Sequence, residues 1–186
     1  MAASSSTSRA TATTPERVLL RGMPPVGTPD ARILILGSMP GAASLGAARY
    51  YAHPRNAFWP ILTQLFGWPD GLDYAARLEA LRKRRVALWD VVHECVRPGS
   101  LDSSIDAASV QANDLPAFLA AHPHIVRICL NGTAAHTLFR RHVLARHALP
   151  GDIELLRLPS TSPAHAAMTM QAKLSAWRDA LAPVLG

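Results

Sequence analysis

Between residues 50 and 59 the chain reads Tyr50-Tyr51-Ala52-His53-Pro54-Arg55-Asn56-Ala57-Phe58-Trp59. Two adjacent aromatics can stack on a planar ring, an amide can hold a water, and His53 can steady the loop through a hydrogen bond. A blander account stands beside each role: Phe58 and Trp59 as core, and Asn56 as the cap of the helix that follows. Upstream, Gly37-Ser38-Met39-Pro40-Gly41 is a turn of small residues that lets backbone approach a ligand closely. It is neither the G-x-S-x-G elbow of hydrolases nor a phosphate loop, because Ser38 follows its glycine directly and no GK[ST] comes after. Asn131-Gly132 can be read as a plain turn. Asp90, Glu94 and Asp102 are carboxylates near one strand exit, where surface or capping roles outweigh acid catalysis.

The elements that must position these residues follow from apolar periodicity. The run 32–36 (RILIL) is β-branched and apolar and stops at Gly37, as a buried strand does. Phe58, Trp59, Ile61, Leu62, Leu65 and Phe66 recur at helical spacing, and a second helix spans 72–84, with Arg82 to Arg85 complementing its C-terminal dipole. Strands are expected over 86–92, 125–130 and 153–158. Helices are expected over 113–121, 133–142 and 169–185, the last broken near Pro183. A polar loop, CVRPGSLDSSI, is expected after the second strand. Alternating strands and helices predict an α/β fold: a three-layer α/β/α sandwich around a four-stranded, mainly parallel sheet. Ligands bind beyond the carboxyl ends of such strands, so the loops GSMPG, DVVHEC, LNGTA and LPSTSPAH should converge on one site. No internal repeat is visible. Residues 1–18 are Ser-, Thr- and Ala-rich and read as a disordered tail, and 19–186 as one domain.

Composition narrows the classes. The chain has 186 residues, 49% of them apolar, enough for one sizeable core. No apolar run reaches a membrane span, and the N-terminus carries no secretory core. The charge of +6, from 19 Lys and Arg against 13 Asp and Glu, is compatible with a polyanionic partner. Cys95 and Cys129 are too few for a four-cysteine cluster and fit buried thiols in a reducing compartment. His53, His93, His136 and His165 lack metal-ligand spacing, so no metal is expected.

Taken together, GSMPG, YYAHPRNAFW, LWDVVHECVRPGSLDSSI, LNGTAAHTLF and LPSTSPAHA resemble, in order, the motifs of the uracil-DNA glycosylase superfamily, most of all its hypoxanthine (deoxyinosine) branch, family six. The resemblance covers nearly the whole chain after the tail. It implies a base pocket formed by Gly37, Ser38, Met39 and Pro40 with Tyr51 and Phe58, Tyr51 stacking on an extruded base. It implies Asn131 as the residue that reads the base, and Asn56 of the HPxN segment as the catalytic residue that positions water. Pro159, Ser160, Thr161, Ser162 and His165 would form the loop that contacts DNA. Three positions depart from relatives: Met39 where mismatch-type members carry Asn or Asp, Leu158 where the best-known uracil enzymes carry His, and His165 where the branch often has Asn.

The activity so implied is hydrolysis of the N-glycosidic bond of a deaminated base flipped out of DNA, the first step of base excision repair, by a monofunctional enzyme without cofactor. Two other readings remain: a uracil or broad deaminated-base glycosylase, and a catalytically silent nucleic-acid binder. The expected partner is DNA carrying a deaminated base, with no membrane, a monomeric state, and a cytoplasmic, nucleoid-associated location.

Overall fold

The computed structural model of the chain describes residues 18–185, so the expected tail lies, but for its last residue, outside the described residues. Four parallel strands form the central sheet: β2 (Ile33–Gly37), β3 (Val86–Asp90), β6 (Arg127–Asn131) and β7 (Glu154–Leu158), in the order β3-β2-β6-β7. The strand alternation dictates the layers. Ile33 and Ile35 of β2 face a core shared with Phe58, Ile61, Leu62, Leu81, Trp177 and Leu181. Those six come from α2 (Phe58–Phe66), α3 (Tyr74–Lys83) and α6 (Met170–Leu185). Leu34 and Leu36 face the opposite core, with Leu115, Phe118, Leu119, Ala135 and Phe139 of α4 (Leu115–Ala121) and α5 (Thr133–Phe139). The α/β/α sandwich and its parallel four-stranded sheet are therefore as expected.

Two local expectations are corrected. The strand expected over 86–92 ends at Asp90, and the chain crosses at Val91 into a second, antiparallel sheet. There β4 (Val92–Val96) lies between β1 (Leu19–Arg21) and β5 (Gln111–Ala112). The expected polar loop thus begins as a strand: Val92 and Cys95 point inward while His93 is exposed, the pattern of a half-buried edge of a domain. Helix α6 is not broken near Pro183 but runs to Leu185. Pro183 stands in the last turn, where only one backbone bond is lost, and buried Trp177, Ala180 and Leu181 hold the helix to the core.

The crossover at Val91 ties the two sheets beside the first loop. The Val91 N–H donates to the Gly37 carbonyl at 2.9 Å and the Val92 N–H to that of Ser38 at 3.0 Å. A short helix, α1 (Ala42–Ala47), follows that loop.

Candidate active site

At the carboxyl ends of β2, β3 and β6 lies a cavity of about 250 Å³, closed from outside by the loops 50–56, 100–102 and 160–164. That is smaller than the ~300–1,000 Å³ of drug-sized sites and suited to one planar base. Gly37, Ser38, Met39, Pro40, Tyr51, Asn56, Asn131, Ser160, Thr161 and Ser162 all line it, and the four loops expected to converge do so. Phe58, Pro159 and His165 do not line it. Phe58 is fully buried behind Tyr51, the Pro159 carbonyl accepts from Trp177 Nε1 at 3.1 Å, and His165 is exposed.

Tyr51 is held from two sides. Its ring stacks on Phe58 with centroids 3.9 Å apart, and its hydroxyl accepts from Asn131 Nδ2 at 3.0 Å. Its backbone φ of +53° is left-handed, a conformation rare for bulky residues and maintained only where the surroundings over-determine it. Asn131 is equally constrained. Its second amide hydrogen goes to Thr161 Oγ1 at 2.9 Å, and its oxygen accepts from the Thr161 N–H at 3.0 Å. Both donors expected to read a base are therefore already engaged in ordering Tyr51 and the 160-loop. Gly132, at φ +97°, permits that arrangement, because a Cβ there would stand 2.8 Å from Ser160 Cβ.

Asn56 has a different balance. Helix α2 is capped by Ala57 rather than Asn56, yet Asn56 Oδ1 accepts from the Phe58 N–H at 3.0 Å, which aims the amide. Its Nδ2 hydrogens make no bond among the described residues. His53 steadies the same turn, accepting from the Arg55 N–H through Nδ1 at 3.1 Å and from the Asn56 N–H through its carbonyl at 2.9 Å. In the outer loop Ser160 Oγ accepts from the Ser162 N–H, and Ser162 Oγ from the Ala164 N–H, each at 3.2 Å. Both hydroxyl protons remain free to donate outward.

Sequence reasoning undervalued two residues and passed over a third. Asp90 is neither on the surface nor a cap: it is buried, lines the cavity, and its Oδ2 has no hydrogen-bond partner. Burial, with the Asp102 charge second, pushes its carboxyl up to about 7, against the smaller opposing pull of Arg97. Asp102 stands at the rim, where its Oδ1 accepts from Ser38 Oγ at 2.7 Å. Arg97, buried and without a carboxylate partner, donates to the carbonyls of Met39 (3.2 Å), Pro40 (2.5 Å) and Gly99 (3.2 Å), so it fixes the first loop. An isolated Arg in a polar stretch gives no such signal. The strand-end position of Asp90 was the available clue.

Residues 24–183 match the family described as the uracil DNA glycosylase superfamily. The chain belongs to that superfamily. It is accordingly a DNA glycosylase, with DNA as the implied substrate. A hypoxanthine DNA glycosylase of Methanosarcina barkeri (strain Fusaro) is 35% identical over 113 residues, 60% of this chain and 70% of the relative. One from Methanosarcina acetivorans is 34% identical over 119 residues, 63% of this chain and 74% of the relative. A solution NMR structure from Methanosarcina acetivorans, described as a candidate uracil DNA glycosylase, superposes with a TM-score of 0.70. It is 29% identical, covering 87% of this chain and 98% of that one. Among the described residues no group of three or more His, Cys, Asp or Glu could hold a metal, and no helix is long and apolar enough to cross a membrane.

Proposed function

We propose that this superfamily member releases hypoxanthine from DNA by hydrolysis, with Asn56 positioning the attacking water. The observation that carries the reading is Asn56 itself: its oxygen is anchored to the helix start while its amide hydrogens open, unbonded, on the base-sized cavity. The names of the two Methanosarcina relatives support the choice of base.

In this mechanism the extruded base enters beside the Tyr51 ring, whose other side is backed by Phe58. The C1′–N9 bond breaks with its electron pair leaving on the base, and the sugar gains oxocarbenium character. A water held by Asn56 forms the new C1′–O bond and releases its proton to solvent or the departing base. Asparagine is a weak base, but an electrophile this cation-like needs placement more than deprotonation. Met39 contributes packing and not water orientation. Backbone of Gly37 to Pro40, fixed by Arg97, lines the pocket and offers hydrogen bonds to the leaving group. Ser160 and Ser162, with Pro159 and His165 flanking, meet the phosphates through the outward hydroxyls.

The reaction stops at the abasic site. Lys83 and Lys173 are the chain's two lysines, neither lines the cavity, and Lys173 Nζ donates to the His165 carbonyl at 2.9 Å. The enzyme works as a monomeric domain over 19–186 within the cell, without cofactor. An excision assay on duplexes carrying hypoxanthine, uracil or xanthine, with alkali to reveal abasic sites, tests the reading. Hypoxanthine release that fails in Asn56→Ala is the expected result. Release of uracil alone would transfer the protein to the uracil-acting reading, and full activity in Asn56→Ala would remove the role given to Asn56.

A further inference from the structure

The pocket contains one polar group that the mechanism above leaves unused. Asp90 ends β3, directly opposite Gly37 in the parallel register, and its carboxyl leans across that glycine. A Cβ on Gly37 would stand 2.2 Å from Asp90 Oδ1 and 3.2 Å from the Tyr51 hydroxyl. The carboxyl and the tyrosine hydroxyl thus flank the floor of the cavity at one point. Tyr51 receives a proton from Asn131, and Asp90 receives none: its Oδ2 is buried without a partner. Nothing about the fold requires a carboxyl here. The one backbone bond that anchors this position, Asn113 Nδ2 to the Asp90 carbonyl at 2.8 Å, does not involve the side chain.

A buried carboxyl with no cation bonded to it is costly when charged and tolerable when neutral. The charged and titratable groups around it act in both directions. Asp102 and burial favour the neutral acid, and Arg97, whose donors go to backbone carbonyls, opposes them. Tyr50 and Tyr51, the other titratable groups facing it, are themselves pushed far upward by burial and by the Asp90 charge, so they remain neutral phenols. A neutral carboxyl is one donor beside one acceptor, which complements a lactam edge, where a carbonyl oxygen stands beside an N–H. A carboxylate offers acceptors alone and would repel the carbonyl.

We propose that Asp90 is the base-reading residue of this pocket and acts as the neutral acid, its O–H donating to the carbonyl oxygen of the flipped base and its other oxygen accepting from the adjacent ring N–H. Asn131, its amide already engaged, is then a positioning residue for Tyr51 and the 160-loop. The donated hydrogen bond strengthens as negative charge builds on the departing base, so Asp90 serves catalysis and recognition together without giving up its proton. This inference rests on the reading of the protein as a lactam-base glycosylase and assigns that activity its recognition group.

The test is a pH profile of single-turnover excision, from about pH 5.5 to about 8, for the wild type, Asp90→Asn and Asp90→Ala, on DNA carrying hypoxanthine or uracil. Both bases present the same edge, so the profile is read on whichever is released. The wild-type rate is expected to fall about tenfold between pH 6 and 8 as the acid ionises. Asp90→Asn, which keeps a donor and an acceptor side by side, should remain active with that fall abolished. Asp90→Ala should be slower by about a hundredfold or more throughout. A wild-type rate independent of pH, a fall retained in Asp90→Asn, loss of activity in a folded Asp90→Asn, or an Asp90→Ala as fast as wild type would each overturn the proposal. Release of uracil alone would revise the base and leave the role of Asp90 to its profile, whereas release of neither base would overturn both. Carboxyl carbon resonances of the unmodified protein supply a readout independent of any variant: Asp90 should still be the acid at pH 6, and ionisation already complete by pH 5 would contradict the proposal.

Discussion

Two neighbouring strand ends show how differently one fold can bury a polar side chain. β6 ends at Asn131 and β3 at Asp90, both five-residue parallel strands, both buried at the tip and both lining the same cavity. At Asn131 the two amide hydrogens and the oxygen are all bonded, to Tyr51 and Thr161. At Asp90 one oxygen has nothing. A satisfied buried group rigidifies its surroundings, while an unsatisfied one costs stability and persists where a ligand completes it. The first end is scaffold and the second is chemistry.

The sharpest way to break this comparison is to crowd Asp90 from beneath. Gly37→Ala would press a methyl onto Oδ1, and because its other neighbour is the constrained Tyr51 hydroxyl, neither can yield freely. Excision should fall more than about a hundredfold. Gly46→Ala, with nothing within 4 Å of the added methyl, should leave the rate unchanged in the same assay.

Next in size is the stability contrast, read by urea unfolding. Asn131→Ala strips partners from the Thr161 N–H and Tyr51 and should cost about 2–4 kcal/mol. Asp90→Asn should do the reverse at alkaline pH. The folded state holds this carboxyl near 7, above its ordinary value, so stability is intact at acid pH, declines as pH rises from about 4 to about 7, and levels off beyond. The amide variant lacks that decline. It should exceed the wild type by roughly 2 kcal/mol at pH 8 and by much less at pH 5. Equal and pH-independent losses at both strand ends would make Asp90 a scaffold residue like Asn131.

A smaller effect separates the first loop from the carboxyl it faces. Removing Arg97 as Arg97→Met takes away bonds to Met39, Pro40 and Gly99 and a positive charge near Asp90. The descending limb of the rate profile should move to higher pH, since that charge favours the ionised carboxyl. Movement to lower pH would contradict the assigned electrostatics. The least effect belongs to the surface pair Arg82–Glu79 at 3.9 Å, where Arg82→Ala should change stability by less than about 0.5 kcal/mol.

Much of this architecture was legible from local pattern. The short apolar runs, each stopped by Gly, Asp or Asn, placed the four parallel strands, because strands buried on both faces need nothing but apolar residues. Those stops then placed the site, since parallel strands deliver their C-terminal residues to one rim. The second sheet was not legible: Val92–Val96 holds His93 and Glu94 among its five residues, and its partner β5 has only two residues, too short to register as a strand. Site chemistry was half legible. Tyr51, Asn56, Asn131 and the serines of the 160-loop carried recognisable types, but type does not tell which amide hydrogens are already bonded. The difference between Asn131 and Asn56 therefore emerged only from hydrogen-bond partners. Asp90 was misjudged for the same reason, as carboxylates are usually solvated and only packing shows when one is not. Arg97 offered no local cue at all, since its partners are backbone carbonyls 57 and 58 residues away.

The central claim is that this chain opens an N-glycosidic bond to a deaminated purine using water held by Asn56. Single-turnover excision from a hypoxanthine-containing duplex, at fixed salt, compares the wild type with Asn56→Ala after circular dichroism has shown both to be folded. The account predicts free hypoxanthine and an alkali-labile site from the wild type, and a rate lower by about a hundredfold or more in the variant. No hypoxanthine from the wild type, or equal rates from the two proteins, would contradict it.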